Sequence, residues 1–356
     1  MQKRTRLSSG MKIETNTSSL QPFGPHLDLN DKTILVTGGT GSFGRSFIRA
    51  VLKRYKIRRC IVFSRDELKQ YEMSQEFPAG PGLPIRYFIG DVRDVERLEL
   101  AMRDVDYVVH AAALKHVQTA EYNPFECVKT NIHGAENVVM AAIRTGVKKV
   151  IALSTDKACN PINLYGATKL AADKIFVAGN NLSGAAGPIF SVVRYGNVIG
   201  SRGSVVPLFK KLIADGVKEL PITDVRMTRF WITLDHGVAF VLSCFDRMEG
   251  GEIFVPKIPS MKITELANCM APGLAHREVG IRPGEKLHEV MISEDDARTT
   301  IEFEDRYAIL APFMNVSNSS FEKFNGKSVS ASFRYASNTN TNCFSPDDFR
   351  KIVMGE

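Results

Sequence analysis

The sequence predicts an α/β chain: a doubly wound parallel sheet followed by a smaller C-terminal part. Three observations predict it. Apolar strand-like runs alternate with helical stretches from about residue 29, and a glycine-rich turn joins the first run to the first helix. Beyond Gly196 the rhythm gives way to short elements punctuated by Pro207, Pro221, Pro256, Pro259, Pro272 and Pro283.

The first run, residues 33–37, is wholly apolar or Thr and feeds a helix over residues 42–55. Strands then follow over residues 60–63, 85–89, 107–111, 150–154 and 190–194, all but the last followed by a helical stretch. This spacing divides the chain into a tail over residues 1–28, rich in Lys, Arg, Ser and Thr, and a dinucleotide-binding part over residues 29–196. Residues 229–256 are expected to return to that part. Residues 197–228 and 257–356 form a substrate-binding domain.

The chain of 356 residues is 44% hydrophobic and 24% charged, which suits one large or two intimate domains. Its net charge of +7 comes from 46 basic and 39 acidic residues that are interspersed. Without a basic face carrying stacking aromatics, nucleic acid is not expected, and the excess suits anionic small molecules. The six cysteines show no C-x-x-C spacing, and the seven histidines form no pair at ligand spacing. Reduced thiols and no metal follow. No window is long and apolar enough to span a bilayer, and the N-terminus lacks the apolar core of a secretory signal, so a cytoplasmic protein without membrane partners is expected.

The turn Thr37-Gly38-Gly39-Thr40-Gly41-Ser42-Phe43-Gly44 lies directly between the first strand and the first helix. Glycines there permit a tight turn and a close backbone approach to a pyrophosphate, whose charge the helix N-terminus favours. The second strand ends in Ser64-Arg65-Asp66-Glu67, where an NAD-specific chain would place an acidic residue on the ribose hydroxyls. Arg65 can instead hold a 2′-phosphate, which favours NADP, while Asp66 and Glu67 suit a helix N-terminus. Asp91 and Val92 follow the third strand, and Ala111 and Ala112 the fourth, at positions suited to adenine and ribose.

Two proton-transfer systems stand close together: Thr155-Asp156-Lys157 and, after a short gap, Tyr165-Gly166-Ala167-Thr168-Lys169. Tyr165 and Lys169 are four apart, hence on one helical face, and an ammonium beside a phenol favours the phenolate. Asp156 and Lys157 add an acid and a base, or else form a salt bridge at a strand end worth about 0–1 kcal/mol if exposed.

Together the Thr-Gly-x-x-Gly-x-x-Gly and Tyr-x-x-x-Lys patterns resemble the extended short-chain dehydrogenase/reductase superfamily over about residues 29–340. More closely, the chain resembles the inverting UDP-N-acetylglucosamine 4,6-dehydratases of pseudaminic acid biosynthesis. That match is carried by residues 37–44, 64–70, 111–116, 154–158, 163–169, 194–198, 227–231 and 280–286. Tyr165 stands where retaining relatives often have methionine. The resemblance implies a Rossmann-type fold, a homo-oligomer (dimer or hexamer), and a redox-neutral cycle on UDP-N-acetylglucosamine. NADP would take hydride from C4, water would leave across C5 and C6, and hydride would return at C6.

In that cycle Tyr165 takes the C4 hydroxyl proton, Lys169 lowers its pKa and holds the nicotinamide ribose, and Thr155 bonds the same hydroxyl. Lys157 is the base at C5 and Asp156 the acid at C6. Each then needs a shifted pKa, downward for the lysine through burial and neighbouring cations, upward for the aspartate through burial. Gly38, Thr40, Gly41, Ser42, Phe43, Gly44, Ser64, Arg65, Lys69, Asp91, Val92, Ala111, Ala112 and Lys115 would hold the cofactor. Lys115, Asn197, Arg202, Lys210, Arg229, Arg282 and Glu285 would hold the nucleotide sugar, with Arg282 the best diphosphate ligand. Nothing in the sequence identifies the donor that reprotonates C5. A retaining dehydratase, a UDP-sugar 4-epimerase and an idle NADP-binding protein are the rival readings.

Overall fold

A computed structural model describes residues 23–24, 26–201, 203–311 and 325–354. Every residue of β1 (Thr33–Thr37) is buried, as is expected of a strand covered on both faces. The strand leads into α1 (Ser42–Arg54), and the alternation continues through β2 (Arg59–Ser64), α2 (Glu67–Glu76), β3 (Ile85–Ile89) and α3 (Val95–Met102). It goes on through β4 (Tyr107–His110), the short helices α4 (Val117–Tyr122) and α5 (Pro124–Val128), α6 (Gly134–Thr145), β5 (Lys149–Leu153), α7 (Leu164–Ser183) and β6 (Ile189–Val193). The predicted strands and first helix thus form within a residue or two of their expected ends.

The strands lie parallel in the order β3-β2-β1-β4-β5-β6, with Ile253–Pro256 parallel beside β6. This is a Rossmann-type, doubly wound sheet. Strand order reverses between β1 and β4, so a crevice opens there at the carboxyl ends of the strands. Helix α1 packs against the helix Leu234–Arg247, while α3, α6 and α7 pack in series.

The sheet then extends antiparallel through Arg306–Ile309, Thr300–Glu302 and Lys327–Ser328. The structure therefore departs from the sequence division, which gave all of residues 257–356 to the substrate-binding part. These strands are two to four residues long, too short for a period-2 pattern to reveal which sheet they join. The upstream boundary also differs. Phe23 packs on Phe240, with ring centroids 4.8 Å apart, so the chain joins the core before residue 29. Residues 1–22 of the predicted tail lie outside the described residues.

A second, smaller core gathers Phe209, Leu220, Trp231, Leu266 and Phe349. Strand Thr228–Ile232 serves both cores, because alternate residues point to opposite faces: Phe230 and Ile232 join the main core, Trp231 the second. Residues 229–256 accordingly return to the main body through Phe230, Ile232, helix Leu234–Arg247 and strand Ile253–Pro256, while Trp231 stays with the second core.

Candidate active site

A cleft of about 580 Å³ runs along the carboxyl ends of β1, β4 and β5. Its nucleotide end is built from the first turn. Gly38 has φ +64°, and a Cβ there would stand 2.8 Å from the Ala112 nitrogen, so any other residue would be strained and would push the two loops apart. Gly41 caps α1 without a side-chain hydrogen bond, leaving the first amides of that helix directed at the cleft beside Thr40, Ser42, Phe43 and Gly44. Thr40 Oγ1 lies 2.9 Å from Ser64 Oγ, tying the turn to the end of β2.

At that strand end no carboxylate faces the cleft directly. The Asp66 side chain accepts from the Lys69 amide as the N-cap of α2 and pairs with the Lys69 ammonium. Ser64, Arg65 and Lys69 line the cleft instead, with the Arg65 guanidinium 3.6 Å from Asp91 and more than half exposed. Asp91, Val92, Ala111, Ala112 and Lys115 complete this end, and burial lowers the Lys115 pKa.

The reacting end is assembled on β5 and α7. Thr155 opens a single 3₁₀ turn, Asp156–Ala158, and its hydroxyl donates to Asp156 Oδ1 at 2.9 Å. Helix α7 starts at an Asn163 cap, whose side chain accepts from the Gly166 amide at 2.7 Å and donates to the Gly284 carbonyl at 2.7 Å. A Cβ on Gly166 would come 2.3 Å from the Lys157 carbonyl, so only glycine lets α7 sit against the Asp156–Lys157 turn. That contact brings Tyr165 beside Thr155 and Lys157 in one cleft.

Two electrostatic expectations are reversed. Burial pushes the Tyr165 phenol up to about 12, opposed by Lys157 and by the Thr155 hydroxyl rather than by Lys169. The Lys169 ammonium, which lines the same cleft, donates to the Leu153 carbonyl at 2.7 Å; burial lowers its pKa, against Asp173. Lys157 is shifted upward, not downward. Burial alone would lower it, but Asp156 Oδ1 at 3.0 Å and Glu289 Oε1 at 3.4 Å outweigh burial and the Arg229 charge. Asp156 is wholly buried and its Oδ2 has no hydrogen-bond partner.

The predicted sugar ligands divide. Asn197 lines the cleft with a buried, unpartnered Oδ1. Lys210 does not line it, because its ammonium donates to the Val353 carbonyl at 2.6 Å. Arg229 does not either: its guanidinium is buried, bonds the Thr228, Leu287 and Lys286 carbonyls, and faces Glu285 and Glu289. Arg282 is exposed on its turn and Glu285 is engaged with Arg229, so neither lines the cleft. Arg202 lies outside the described residues.

Sequence reasoning missed two features. Glu289 carries no motif and is far from Lys157 along the chain. The π-turn Lys129–His133 brings Thr130 to the cleft with a buried, unpartnered hydroxyl. In the same turn Asn131 clamps both backbone groups of Leu114 and the hydroxyl of Thr168.

The model of a family of polysaccharide biosynthesis proteins matches residues 34–311. The chain belongs to that family. Among these polysaccharide biosynthesis proteins it is 61% identical to the UDP-N-acetylglucosamine 4,6-dehydratase (inverting) of Campylobacter jejuni subsp. jejuni serotype O:23/36 (strain 81-176), over 91% of this chain and 98% of that protein. Pen from Bacillus thuringiensis superposes with a TM-score of 0.83 at 36% identity, covering 92% of this chain and 99% of that one. DesIV, the dTDP-glucose 4,6-dehydratase of Streptomyces venezuelae solved with NAD and TYD, superposes with a TM-score of 0.63 at 26% identity, covering 72% and 86%. Among the described residues of this family member, no cluster of metal-ligating side chains occurs and no helix is long and apolar enough to cross a membrane.

Proposed function

We propose that the chain is an inverting UDP-N-acetylglucosamine 4,6-dehydratase that works with NADP and supplies pseudaminic acid biosynthesis. One observation carries the reading: Lys157, ion-paired at 3.0 Å with the wholly buried Asp156 behind it, lines the same cleft as Thr155, Tyr165 and Lys169. Gly38 and the uncapped helix end fit a dinucleotide, which when bound supplies hydride acceptance at C4 and hydride return at C6. The engagement of Asp66 in the α2 cap, with Arg65 and Lys69 rather than Asp66 lining the cleft, favours a 2′-phosphate.

Tyr165 takes the C4 hydroxyl proton, aided by Thr155 and by the Lys157 charge, both of which favour its phenolate. The C4 ketone acidifies the C5 proton. The Asp156–Lys157 salt bridge is one tautomer of the acid and base that elimination needs. When the proton moves along the 3.0 Å contact, the ammonium becomes an amine base and the carboxylate an acid. The amine takes the C5 proton, the acid protonates the departing C6 hydroxyl, and water leaves. Lys115 and Asn197 hold the sugar or its diphosphate. The exposed Tyr122 and Phe125, 88% and 77% accessible, support a homo-oligomer.

A 4-epimerase needs Tyr165 and Lys169 but no elimination pair. Incubation with UDP-N-acetylglucosamine in deuterated water, followed by NMR, decides between the readings. The expected product is a 4-keto-6-deoxy sugar of L-arabino configuration with deuterium at C5, UDP-2-acetamido-2,6-dideoxy-β-L-arabino-hex-4-ulose. A C4 epimer without any keto sugar would select the epimerase, and neither product would remove both.

A further inference from the structure

We propose that Glu289 is a positioning residue for this elimination, a buried carboxylate that pins the Lys157 ammonium beside Asp156 so that the pair keeps the one proton it must deliver. The inference rests on the dehydratase reading. Glu289 is 1% exposed and directly precedes the buried strand Val290–Ile292. Its amide donates to Ser337 Oγ at 3.0 Å, and its carbonyl accepts from the Ser337 amide at 2.8 Å, which fixes the backbone. Oε1 then stands 3.4 Å from Lys157 Nζ and 3.8 Å from Arg229 Nε, while Oε2 stands 3.9 Å from Lys286 Nζ and has no hydrogen-bond partner.

Asp156 alone would balance the charge of Lys157, so neutralisation does not require a second acid. A buried carboxylate oxygen without a hydrogen bond is costly to keep. Its effect is on the proton inventory. The groups facing Lys157 are Asp156, Glu289, Arg229 and Tyr165, and the two carboxylates prevail over the other charge and over burial. The resting pair is therefore ammonium and carboxylate. The proton passes to Asp156, leaves with the C6 hydroxyl as water, and is replaced on Lys157 by the C5 proton, so the pair ends as it began. Because Glu289 raises the proton affinity of the amine, it also strengthens the base that attacks a weakly acidic C–H bond.

Two readouts test this on the holoenzyme. The rate at which an amine-selective acylating reagent labels Lys157 at a fixed pH, followed by peptide mass spectrometry, reports the free-amine fraction independently of turnover. Glu289→Gln is expected to raise that rate about tenfold, one pKa unit, and Glu289→Asp to stay within about threefold of wild type. With substrate, Glu289→Gln is expected to slow deuterium entry at C5 about tenfold while transient reduction of the nicotinamide keeps its rate. Labelling within twofold of wild type in a folded Glu289→Gln protein, or equal losses in both steps, would overturn the proposal. If Glu289→Gln does not fold, Ser337→Ala, which loosens the Glu289 backbone, is read by the same labelling, and an unchanged rate there overturns it too. A labelling difference in a protein whose wild type makes no keto sugar keeps the charge assignment and removes the dehydratase reading.

Discussion

At the scale of single residues, the chemistry turns on how a charge is shared. Lys157 lies between Asp156 and Glu289, which hold its ammonium form, and in the proposed mechanism its base form arises by passing the proton to Asp156. On the proposed mechanism, Lys157→Ala leaves Asp156 without that proton and C5 without a base. Keto-sugar formation should fall at least about a thousandfold, the scale of a lost general base, while reduction of the nicotinamide persists. NMR of the product mixture checks it, and unchanged turnover would take Lys157 out of the mechanism. At the other end of the cleft, the half-exposed guanidinium of Arg65 lies 3.6 Å from Asp91 and can turn towards a 2′-phosphate. Arg65→Ala should weaken NADP about tenfold, about 1.4 kcal/mol, and leave NAD binding unchanged. Isothermal titration with both nucleotides reads the ratio, and parallel losses would show that Arg65 does not discriminate.

Single elements set these residues in place, and the start of α7 does most of it. The Asn163 cap satisfies the Gly166 amide and holds the Gly284 carbonyl, so it fixes both Tyr165 and the turn at residues 283–284. Asn163→Ala should cost about 1–2 kcal/mol in urea unfolding and lower kcat more than it raises KM, because Tyr165 loses its register. A stable protein with normal kcat would place the cap outside the site. This element also shows what a sequence can disclose. Tyr165, Lys169, Asp156 and Lys157 are contiguous enough that helix and turn geometry alone groups them, as it does the glycines of the first turn. Glu289 is brought to Lys157 by the long-range pairing of strand Val290–Ile292 with Tyr335–Ala336, which no local period encodes. The direction of the Lys157 shift was illegible for the same reason, since Glu289 helps to decide it. Arg229 and Lys210 looked like diphosphate ligands because a sequence does not show which cations are spent on buried carbonyls.

Across the whole molecule, the strand pair that opens the crevice carries a titratable group at its carboxyl end. His110 ends β4 opposite Thr37 of β1, with its Nδ1 2.8 Å from the Thr37 hydroxyl and its ring 5.3 Å from Phe176. Burial, and then the charge of Lys169, pushes it down to about 3 from the usual 6.5. The native protein thus keeps His110 neutral where the unfolded chain takes up a proton. Stability rises with pH wherever the unfolded state binds more protons, so this group's contribution is intact above about 6.5 and is lost as pH falls towards about 3. Within that window one histidine accounts for a slope of about 1.4 kcal/mol per pH unit. His110→Asn removes the titration while leaving a side chain that can still meet Thr37. Urea unfolding of wild type and variant between pH 6 and 4.5 should show the variant less stable near neutrality but flatter by about one proton, the carboxylates cancelling in the difference. Parallel slopes would mean that the strand pair at the crevice already admits water and that His110 titrates in the folded protein as it does in the open chain.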